Sequence, residues 1–288
     1  MKALRHFLDA IKFEHTVFAL PFAYIAMMLA ARGWPSWHVI VWVTLAMVGG
    51  RTLAMSVNRL ADRFIDARNP RTAGRHLPTG LLTSGQVATA AVLSAALLFF
   101  SAWRINPLCL ALAPLAAVFL IGYSYTKRFT WLSHWILGFT DGIAAAGGWI
   151  AVREAFDPPA LILWFALTVW IGGFDLIYAC QDIEFDRANG LYSIPAQFGA
   201  ERAFQVAEIA HGASIGFLAT VGALLGLPWP FWIGVGVAAW LLLWEHRLVR
   251  PDDLTHIDMA FFTINSYLSL SVFAFTLLAT ILLPAATK

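Results

Sequence analysis

The chain has 288 residues, of which 60% are hydrophobic and 12% are charged, and its formal net charge is +2. A soluble domain carries about 25% charged residues, so this composition excludes a water-soluble globule, a disordered chain and a nucleic-acid-binding protein. The hydrophobic stretches are continuous rather than alternating, which favours membrane-spanning helices over an outer-membrane barrel.

Nine stretches of the sequence contain about 20 mostly apolar residues, the length that an α-helix needs to cross a bilayer. We therefore predict an all-α integral membrane protein that forms a single domain over residues 1–288. Its nine transmembrane helices are expected to form a bundle around a central cavity. In chain order the predicted spans cover about 15–33, 38–58, 84–103, 107–125, 132–152, 160–181, 203–225, 229–246 and 262–283.

The distribution of lysine and arginine predicts the orientation of the chain. The longer polar loops and the N-terminal segment carry 14 of these 19 residues, whereas the short loops and the C-terminal end carry 4. Loops that are rich in positive charge stay on the cytoplasmic side of a membrane. We therefore expect the N-terminus to lie in the cytoplasm.

The second predicted span carries a polar stripe that runs towards its cytoplasmic end. Arg51, Asn58, Asp62 and Asp66 are spaced so that they share one face of an α-helix. Carboxylates one helical turn apart repel each other, so a cation is expected to offset the charges of Asp62 and Asp66.

The sixth predicted span ends in a similar stripe, formed by Asp175, Tyr178, Asp182 and Asp186. Carboxylate oxygens at this density suit Mg²⁺, which binds through one or two carboxylates together with substrate phosphates. Each aspartate alone could instead be an ordinary boundary residue that pairs with a neighbouring arginine. Two matching stripes on the same side of the membrane favour a Mg²⁺–diphosphate site between the two spans.

Cationic residues follow the second and fourth predicted spans. Arg71 and Arg75 lie in a turn-rich segment, and Lys127 lies at a helix end with Tyr123 one turn earlier. Arginine forms bidentate contacts with phosphate and lysine acts as a point charge, so these cations are candidate diphosphate ligands. For Arg128, by contrast, we expect no role beyond the positive charge of a cytoplasmic loop.

Four segments of the sequence together resemble the UbiA superfamily of intramembrane prenyltransferases. The resemblance covers the chain from about Lys12 to Gly199, in the family's order and spacing, and its first motif is highly specific. Within the superfamily the chain looks like the bacterial branch of 4-hydroxybenzoate polyprenyltransferases. The segments are Asn58-x3-Asp62-x3-Asp66, Arg71-Thr-x2-Arg75-x-Leu-Pro-x-Gly80, Tyr123-x3-Lys127-Arg128 and Asp175-x2-Tyr178-x3-Asp182-x3-Asp186.

The resemblance implies residues for each part of the site. The implied ligands of Mg²⁺ are Asn58, Asp62, Asp66 and Asp182, with either Asp175 or Asp186. The implied diphosphate-binding residues are Lys127, Arg71, Arg75 and Lys12, the last standing where relatives often have arginine. The residues expected to take part in catalysis are Asp62, Asp66, Asp182, Lys127, Tyr123 and Tyr178. Beyond the resemblance, our hypothesis is that the ring face of Tyr178 or Tyr123 stabilises the allylic cation.

The resemblance also implies an aromatic acceptor, whose carboxylate would meet Arg51, with Asn58 beside it. Asp141 lies inside the fifth predicted span among small residues, and charged residues inside a span are usually functional. We consider that Asp141 orients the acceptor hydroxyl, the alternative being a structural hydrogen bond between helices. His134, near the start of the same span, is expected at the membrane interface.

The implied reaction is transfer of a polyprenyl group from a prenyl diphosphate to an aromatic acid in quinone biosynthesis. Mg²⁺ and the cations would stabilise the departing diphosphate, and the aromatic ring would attack the allylic cation. The expected acceptor is 4-hydroxybenzoate, and 1,4-dihydroxy-6-naphthoate of the futalosine route to menaquinone is the alternative. A membrane transporter is the alternative of another class. We expect a bacterial inner-membrane enzyme whose site faces the cytoplasm, with no nucleic acid and no obligatory protein partner.

Overall fold

The structure is a computed structural model that describes residues 2–12 and 16–283. Within these residues the chain is helical, with no β-strand. The α-helices are α1 (Lys2–Ala10), α2 (Thr16–Ala31), α3 (Trp37–Asp66), α4 (Ser84–Ile105), α5 (Pro107–Thr126), α6 (Ser133–Arg153), α7 (Pro158–Ala179), α8 (Ile183–Ala188), α9 (Ile194–Phe198), α10 (Ala200–Leu225), α11 (Trp229–Leu248) and α12 (Asn265–Ile281). A 3₁₀ turn, Cys180–Asp182, joins α7 to α8, and a π-helical segment, Met259–Ile264, precedes α12.

Seven helical segments of the described chain are long and apolar enough to cross a membrane, as expected of a multi-pass membrane protein. Two helices that overlap predicted spans are not among them. The apolar part of α2 is shorter, at Phe18–Ala31, and α11 ends in the polar residues Glu245, His246 and Arg247. The count of nine spans and the cytoplasmic N-terminus therefore remain predictions. The seven segments are Trp37–Asp66, Ser84–Ile105, Pro107–Thr126, Ser133–Arg153, Pro158–Ala188, Ala200–Leu225 and Met259–Ile281.

Small residues bring the helices that carry the acidic motifs close to their neighbours. A Cβ atom on Gly138 of α6 would lie 2.1 Å from the backbone oxygen of Thr168 on α7. A Cβ atom on Gly49 of α3 would lie 2.9 Å from the backbone nitrogen of Leu98 on α4. Such close backbone contacts are typical of membrane helices. They fix α7 against α6 and α3 against α4, and so hold the polar ends of α3 and α7 in place.

We expect Gly138→Ala to lower the thermal stability of the protein. The added methyl group would meet backbone atoms, which cannot rotate away, and overpacking of this kind costs roughly 1–3 kcal/mol. Gly147→Ala on the same helix is the matched control, because a Cβ atom there meets no other atom within 4 Å. Thermal unfolding in detergent should give a lower midpoint for Gly138→Ala only. Equal midpoints for the two variants would contradict the close α6–α7 contact.

The largest buried cluster also anchors α7. The rings of Phe22 on α2 and Trp170 on α7 lie 5.2 Å apart between centroids, and both side chains are almost fully buried. The indole Nε1 of Trp170 donates a hydrogen bond to Oδ1 of Asn265 on α12 at 2.8 Å. This bond satisfies the polar atom of a buried tryptophan. Aromatic packing on α2 and a polar contact on α12 thus fix the helix that leads to the second acidic motif.

The two acidic stripes differ in their backbone. Helix α3 continues to Asp66, two turns past the predicted end of its span, so the first motif lies on one helix as expected. Helix α7 instead ends at Ala179, and the 3₁₀ turn follows it. The second stripe is therefore not carried by one continuous α-helix, which corrects the prediction. The cause is local, because the backbone N–H of Cys180 bonds to the carbonyl groups of Ile177 and Tyr178 and tightens the helix end.

Candidate active site

A polar cavity of about 220 Å³ lies where the ends of α3, α5 and α7 meet. Both acidic motifs, the loop cations and the two tyrosines singled out in the sequence line its wall. The predicted residues found there are Asn58, Asp62, Asp66, Arg71, Arg75, Tyr123, Lys127, Asp175, Tyr178, Asp182 and Asp186. The structure therefore gathers residues from 58 to 186 around one space.

Asp62 is buried on α3 and is surrounded by donors. Its Oδ1 accepts a hydrogen bond from Nη2 of Arg128 at 2.9 Å, and its Oδ2 lies 3.5 Å from Nζ of Lys127. Nδ2 of Asn58, one turn earlier, donates to Oδ2 at 3.2 Å. These donors offset a buried charge that would otherwise be costly. The expectation that Arg128 serves only topology is wrong, because this arginine pairs directly with the first motif.

Asp66 is the last residue of α3, and its carboxylate is bound by the loop that follows. Nη1 of Arg75 lies 2.8 Å from each of its two carboxylate oxygens. The hydroxyl of Thr72 donates to the backbone oxygen of Asp66 at 3.1 Å. The loop is thereby folded back over the end of its own helix, which carries Arg75 into the cavity wall.

Asp182 joins the same loop to the second motif. Its Oδ1 accepts hydrogen bonds from Nδ2 of Asn69 at 2.9 Å and from Nε of Arg71 at 3.0 Å, and Nη2 of Arg71 pairs with its Oδ2. Burial lowers the pKa of the Arg71 guanidinium, but its hydrogen bond and charge pairing with Asp182 more than offset this and raise that pKa above its ordinary value. Asn69 was not predicted to be a site residue. The only signal in the sequence is its position in a turn, two residues before Arg71.

The remaining two aspartates have neutral or titratable partners. Asp186 on α8 accepts a hydrogen bond from the hydroxyl of Ser193 at 3.1 Å. Oδ2 of Asp175 on α7 lies 2.7 Å from Nδ1 of His134 on α6. His134, the second residue of α6, is only 4% exposed and lines the cavity, so it faces the protein interior; its expected place at the membrane interface stays a prediction. The close packing of α6 on α7 turns this imidazole to Asp175 and the cavity.

The two tyrosines have different surroundings. The guanidinium carbon of Arg71 lies 5.3 Å from the ring centroid of Tyr178, and the ring of Phe261 lies 4.2 Å from it between centroids. Tyr123 on α5 donates its hydroxyl to the backbone oxygen of Ala54 on α3 at 3.4 Å. Ala54 lines a second cavity, so Tyr123 stands where the two cavities adjoin.

The second cavity, of about 230 Å³, is mostly apolar and is lined by α3, α4, α5 and α6. Arg51 and Asp141 are among its few polar residues. The predicted stripe from Arg51 to Asp66 is thus divided, because Arg51 faces this cavity rather than the polar one. Its Nε is buried and has no hydrogen-bond partner within the described chain. Lys12 is exposed at the end of α1, and neither cavity wall contains it.

The oxygen-rich wall fits a hard divalent cation that is shared with a substrate. Across residues 2–12 and 16–283, no three His, Cys, Asp or Glu side chains lie close enough together to hold a metal ion. Mg²⁺ does not require such a cage, because it commonly binds one or two carboxylates and completes its shell with waters and phosphate oxygens. Asp62, Asp66 and Asp182 each pair with cations that can also bind phosphate.

Comparisons with known proteins agree with this geometry. Residues 19–267 match the UbiA prenyltransferase family. The 4-hydroxybenzoate octaprenyltransferase of Cupriavidus necator is 31% identical over 257 residues, which cover 88% of this chain and 88% of that protein.

Solved structures give the same result at the level of the fold. The apo structure of a UbiA homolog from Aeropyrum pernix K1 has a TM-score of 0.80 and 29% identity, covering 93% of this chain and 97% of that one. A UbiA homolog from Archaeoglobus fulgidus, bound to DMAPP and Mg²⁺, has a TM-score of 0.75 and 18% identity over 96% and 99% of the two chains. Because the family match spans most of its length, this chain belongs to the UbiA prenyltransferase family.

Proposed function

We propose that this protein transfers a polyprenyl group from a polyprenyl diphosphate to the ring of an aromatic acid, 4-hydroxybenzoate, in respiratory quinone biosynthesis. The observation that carries the proposal is the polar cavity, where two acidic motifs meet the cations of two loops. The activity for which the Cupriavidus necator relative is named supports the choice of acceptor.

On binding, the diphosphate would replace the aspartates as the partner of the cations in the cavity wall. Arg71 and Arg75 are bound to Asp182 and Asp66, and Lys127 lies beside Asp62. A diphosphate competes for all three cations, and arginine binds phosphate oxygens in a bidentate manner. Once the three cations turn to the diphosphate, carboxylate oxygens of Asp62, Asp66 and Asp182 are freed, while Arg128 still contacts Oδ1 of Asp62 and Asn69 still contacts Oδ1 of Asp182. Lys12 is exposed two residues after α1, and we propose that its charge helps to attract the anionic substrate to the diphosphate site.

The released carboxylates would hold Mg²⁺. We assign this role to Asp62, Asp66 and Asp182, with Asn58 and Asp186 beside them in the wall. When bound, the metal supplies Lewis-acid neutralisation of the charge that develops on the departing diphosphate. The cations Lys127, Arg71 and Arg75 act on the same charge once they have turned to the diphosphate.

The two tyrosines and the apolar cavity would protect the allylic cation. Arg71 lies over the ring of Tyr178, so its movement to the diphosphate would uncover a ring face for the cation. Tyr123 stands between the polar cavity and the apolar one. The apolar cavity suits the isoprenoid chain, and its hydrophobic wall would keep water from the cation.

The acceptor would lie between the two cavities. Arg51 is a guanidinium in an apolar wall with an unpartnered Nε, and an aromatic carboxylate would supply its missing partner. Asn58 lies on α3 between Arg51 and Asp62 and hydrogen-bonds to Asp62, so it can contact both the acceptor and the metal site. Asp141 lines the apolar cavity, and we propose that it orients the acceptor hydroxyl.

We also propose that the chain forms one domain in the bacterial inner membrane, with its polar cavity open to the cytoplasm. The family match over residues 19–267 supports a single domain. Arg71, Arg75, Lys127 and Arg128 all lie at the cavity end of the bundle, and such positive charge marks the cytoplasmic side.

A transfer assay in detergent or liposomes tests the proposed function. Radiolabelled polyprenyl diphosphate is supplied with either 4-hydroxybenzoate or 1,4-dihydroxy-6-naphthoate. We expect a prenylated product with 4-hydroxybenzoate, loss of that product when EDTA removes Mg²⁺, and its return with excess Mg²⁺. A product with the naphthoate alone would assign the enzyme to the futalosine route. Solute flux across sealed liposomes without any prenyl transfer would instead support a transporter.

A further inference from the structure

We propose that Asp175 accepts the proton that the aromatic acceptor loses, and that His134 is the residue that positions the Asp175 carboxylate for this step. The inference rests on the proposed function, because it assigns a role within the aromatic substitution. It also assigns Asp175 to the acceptor and leaves the metal to the other aspartates of the cavity.

In the His134–Asp175 pair, the carboxylate faces the polar cavity and the imidazole is the more deeply buried group. Nδ1 of His134 lies 2.7 Å from Oδ2 of Asp175, a distance typical of a charge-assisted hydrogen bond. The side chain of His134 is 5% exposed, whereas that of Asp175 is 24% exposed and lines the polar cavity. The imidazole therefore holds one carboxylate oxygen and leaves the other for a ligand.

The partner of Asp175 differs in kind from those of the other aspartates. Asp62, Asp66 and Asp182 pair with arginine or lysine, which stay charged and can turn to a phosphate. Asp175 pairs instead with a buried imidazole on a neighbouring helix, which is held in place by helix packing and is not one of the loop cations. Such a carboxylate–imidazole pair is suited to taking up a proton from a substrate.

The second nitrogen of His134 supports a positioning role. Its Nε2 is buried and has no hydrogen-bond partner within the described chain. An ionised carboxylate only accepts hydrogen bonds, so Nδ1 carries the proton that is donated to Asp175 and Nε2 of the neutral ring is a bare acceptor; the opposite tautomer would aim the Nδ1 lone pair at the carboxylate and bury an unpaired N–H. The buried site therefore favours the tautomer that directs a hydrogen to the carboxylate.

The position of Asp175 along α7 separates it from the diphosphate end of the cavity. It lies on α7 itself, about one turn before the helix ends at Ala179, whereas Asp182 is the last residue of the 3₁₀ turn that follows. His134 precedes Asp141 by two turns of α6, and Asp141 lines the apolar cavity. The pair therefore lies on the side of the polar cavity that leads towards the proposed acceptor.

The proton balance of the reaction requires such an acceptor. The C–O bond of the prenyl diphosphate breaks, and the electron pair leaves with the diphosphate. A π electron pair of the ring then forms the new C–C bond to the prenyl carbon, while the hydroxyl proton passes to the Asp175 carboxylate. The resulting dienone regains aromaticity by moving its ring proton to the oxygen, so that one proton is released for each transfer.

Two substitutions of His134 distinguish the effect of its hydrogen bond to Asp175 from the effect of the volume that its side chain fills. His134→Leu keeps most of the volume and removes the donor, and we expect it to lower kcat by about 10–100-fold. His134→Asn places an amide N–H where Nδ1 stands, and we expect it to recover at least about a third of the lost kcat. The KM values for both substrates should stay within about twofold, because the step affected follows binding. Asp175→Asn, which cannot take up the proton, should lower kcat by at least about 100-fold.

His256→Asn, an exposed histidine on the loop before the π-helical segment, is the matched control and should leave kcat and the unfolding midpoint unchanged. Unchanged kcat in a folded His134→Leu protein would overturn the inference. A higher Mg²⁺ requirement in His134→Leu would also overturn it, because that result would assign the pair to the metal. Equal losses of kcat in His134→Leu and His134→Asn would overturn it as well. Absence of transfer by the unsubstituted protein, by contrast, would contradict the proposed function itself.

Discussion

Asp62→Ala is expected to reduce prenyl transfer by about 10³-fold or more, the largest loss of activity that the structure predicts. Asp62 is the carboxylate on which two cations and an amide converge, at 2.9 Å from Arg128, 3.5 Å from Lys127 and 3.2 Å from Asn58. Its removal would delete a proposed metal ligand and leave two cations without their partner. Both effects act on the charge of the departing diphosphate.

The same substitution is expected to lower stability, so activity alone does not test the assignment. Removing one partner of a buried ion pair costs about 3–5 kcal/mol, and the side chain of Asp62 is only 4% exposed. The partners are about 30% exposed, which reduces that cost through solvent screening. Asp62→Asn keeps the volume, and its amide oxygen can still accept the hydrogen bond from Arg128, although the charge is lost. It should lose less stability than Asp62→Ala and still lose most of the transfer activity.

The control for this pair is Asp252→Ala, on an exposed loop far along the chain from both acidic motifs. Initial rates at saturating substrate, unfolding midpoints and the Mg²⁺ dependence should be measured for all three variants. Asp252→Ala should match the unsubstituted protein. Turnover within tenfold of normal in folded Asp62→Asn would remove Asp62 from the catalytic site.

The first acidic motif could be predicted from the sequence because its geometry is local. Asn58, Asp62 and Asp66 are spaced by single helical turns, and α3 continues through all three. The second motif was predicted less well, because its residues do not all lie on one continuous α-helix. Its residues all reach the cavity, but the 3₁₀ turn after Ala179 interrupts the helix, and no spacing in the sequence indicates such a turn.

Contacts between distant segments could not be predicted. Asn69 reaches Asp182 across 113 positions, and this contact depends on the path of a loop. His134 meets Asp175 because α6 and α7 approach closely at Gly138, and no pattern in the sequence indicates that this histidine lines the cavity. In both cases the chemistry of the residues was visible in the sequence, whereas the packing that pairs them was not.

Arg51→Leu is expected to raise the KM for 4-hydroxybenzoate at least about 30-fold while leaving the KM for the prenyl diphosphate within about twofold. Losing one partner of a buried charge pair costs about 2–5 kcal/mol, and each 1.4 kcal/mol is a factor of ten. Arg51 lines the apolar cavity rather than the polar one, so its loss should not disturb the diphosphate. Arg51→Lys keeps the charge but loses the bidentate geometry, and an intermediate KM is expected.

The unfolding midpoint of Arg51→Leu, unlike its KM for 4-hydroxybenzoate, should change little. The buried Nε of Arg51 has no hydrogen-bond partner in the described chain, and a buried polar atom without a partner is destabilising. Leucine removes that cost but also removes the cation that interacts with the Asp141 carboxylate in the same cavity wall, so the unfolding midpoint of Arg51→Leu without substrate should change little. Arg63→Leu is the matched control, because Arg63 lies on the same helix outside both cavity walls.

A phenol that lacks the carboxylate tests whether Arg51 recognises that group. The unsubstituted enzyme should use this phenol far less efficiently than 4-hydroxybenzoate, and the difference should shrink to a few-fold in Arg51→Leu, since both partners of the pair are then absent. If Arg51 instead served the diphosphate or the fold, the substitution would lower the transfer to both acceptors by the same factor. Discrimination that persists in Arg51→Leu would therefore place the acceptor carboxylate elsewhere in the protein.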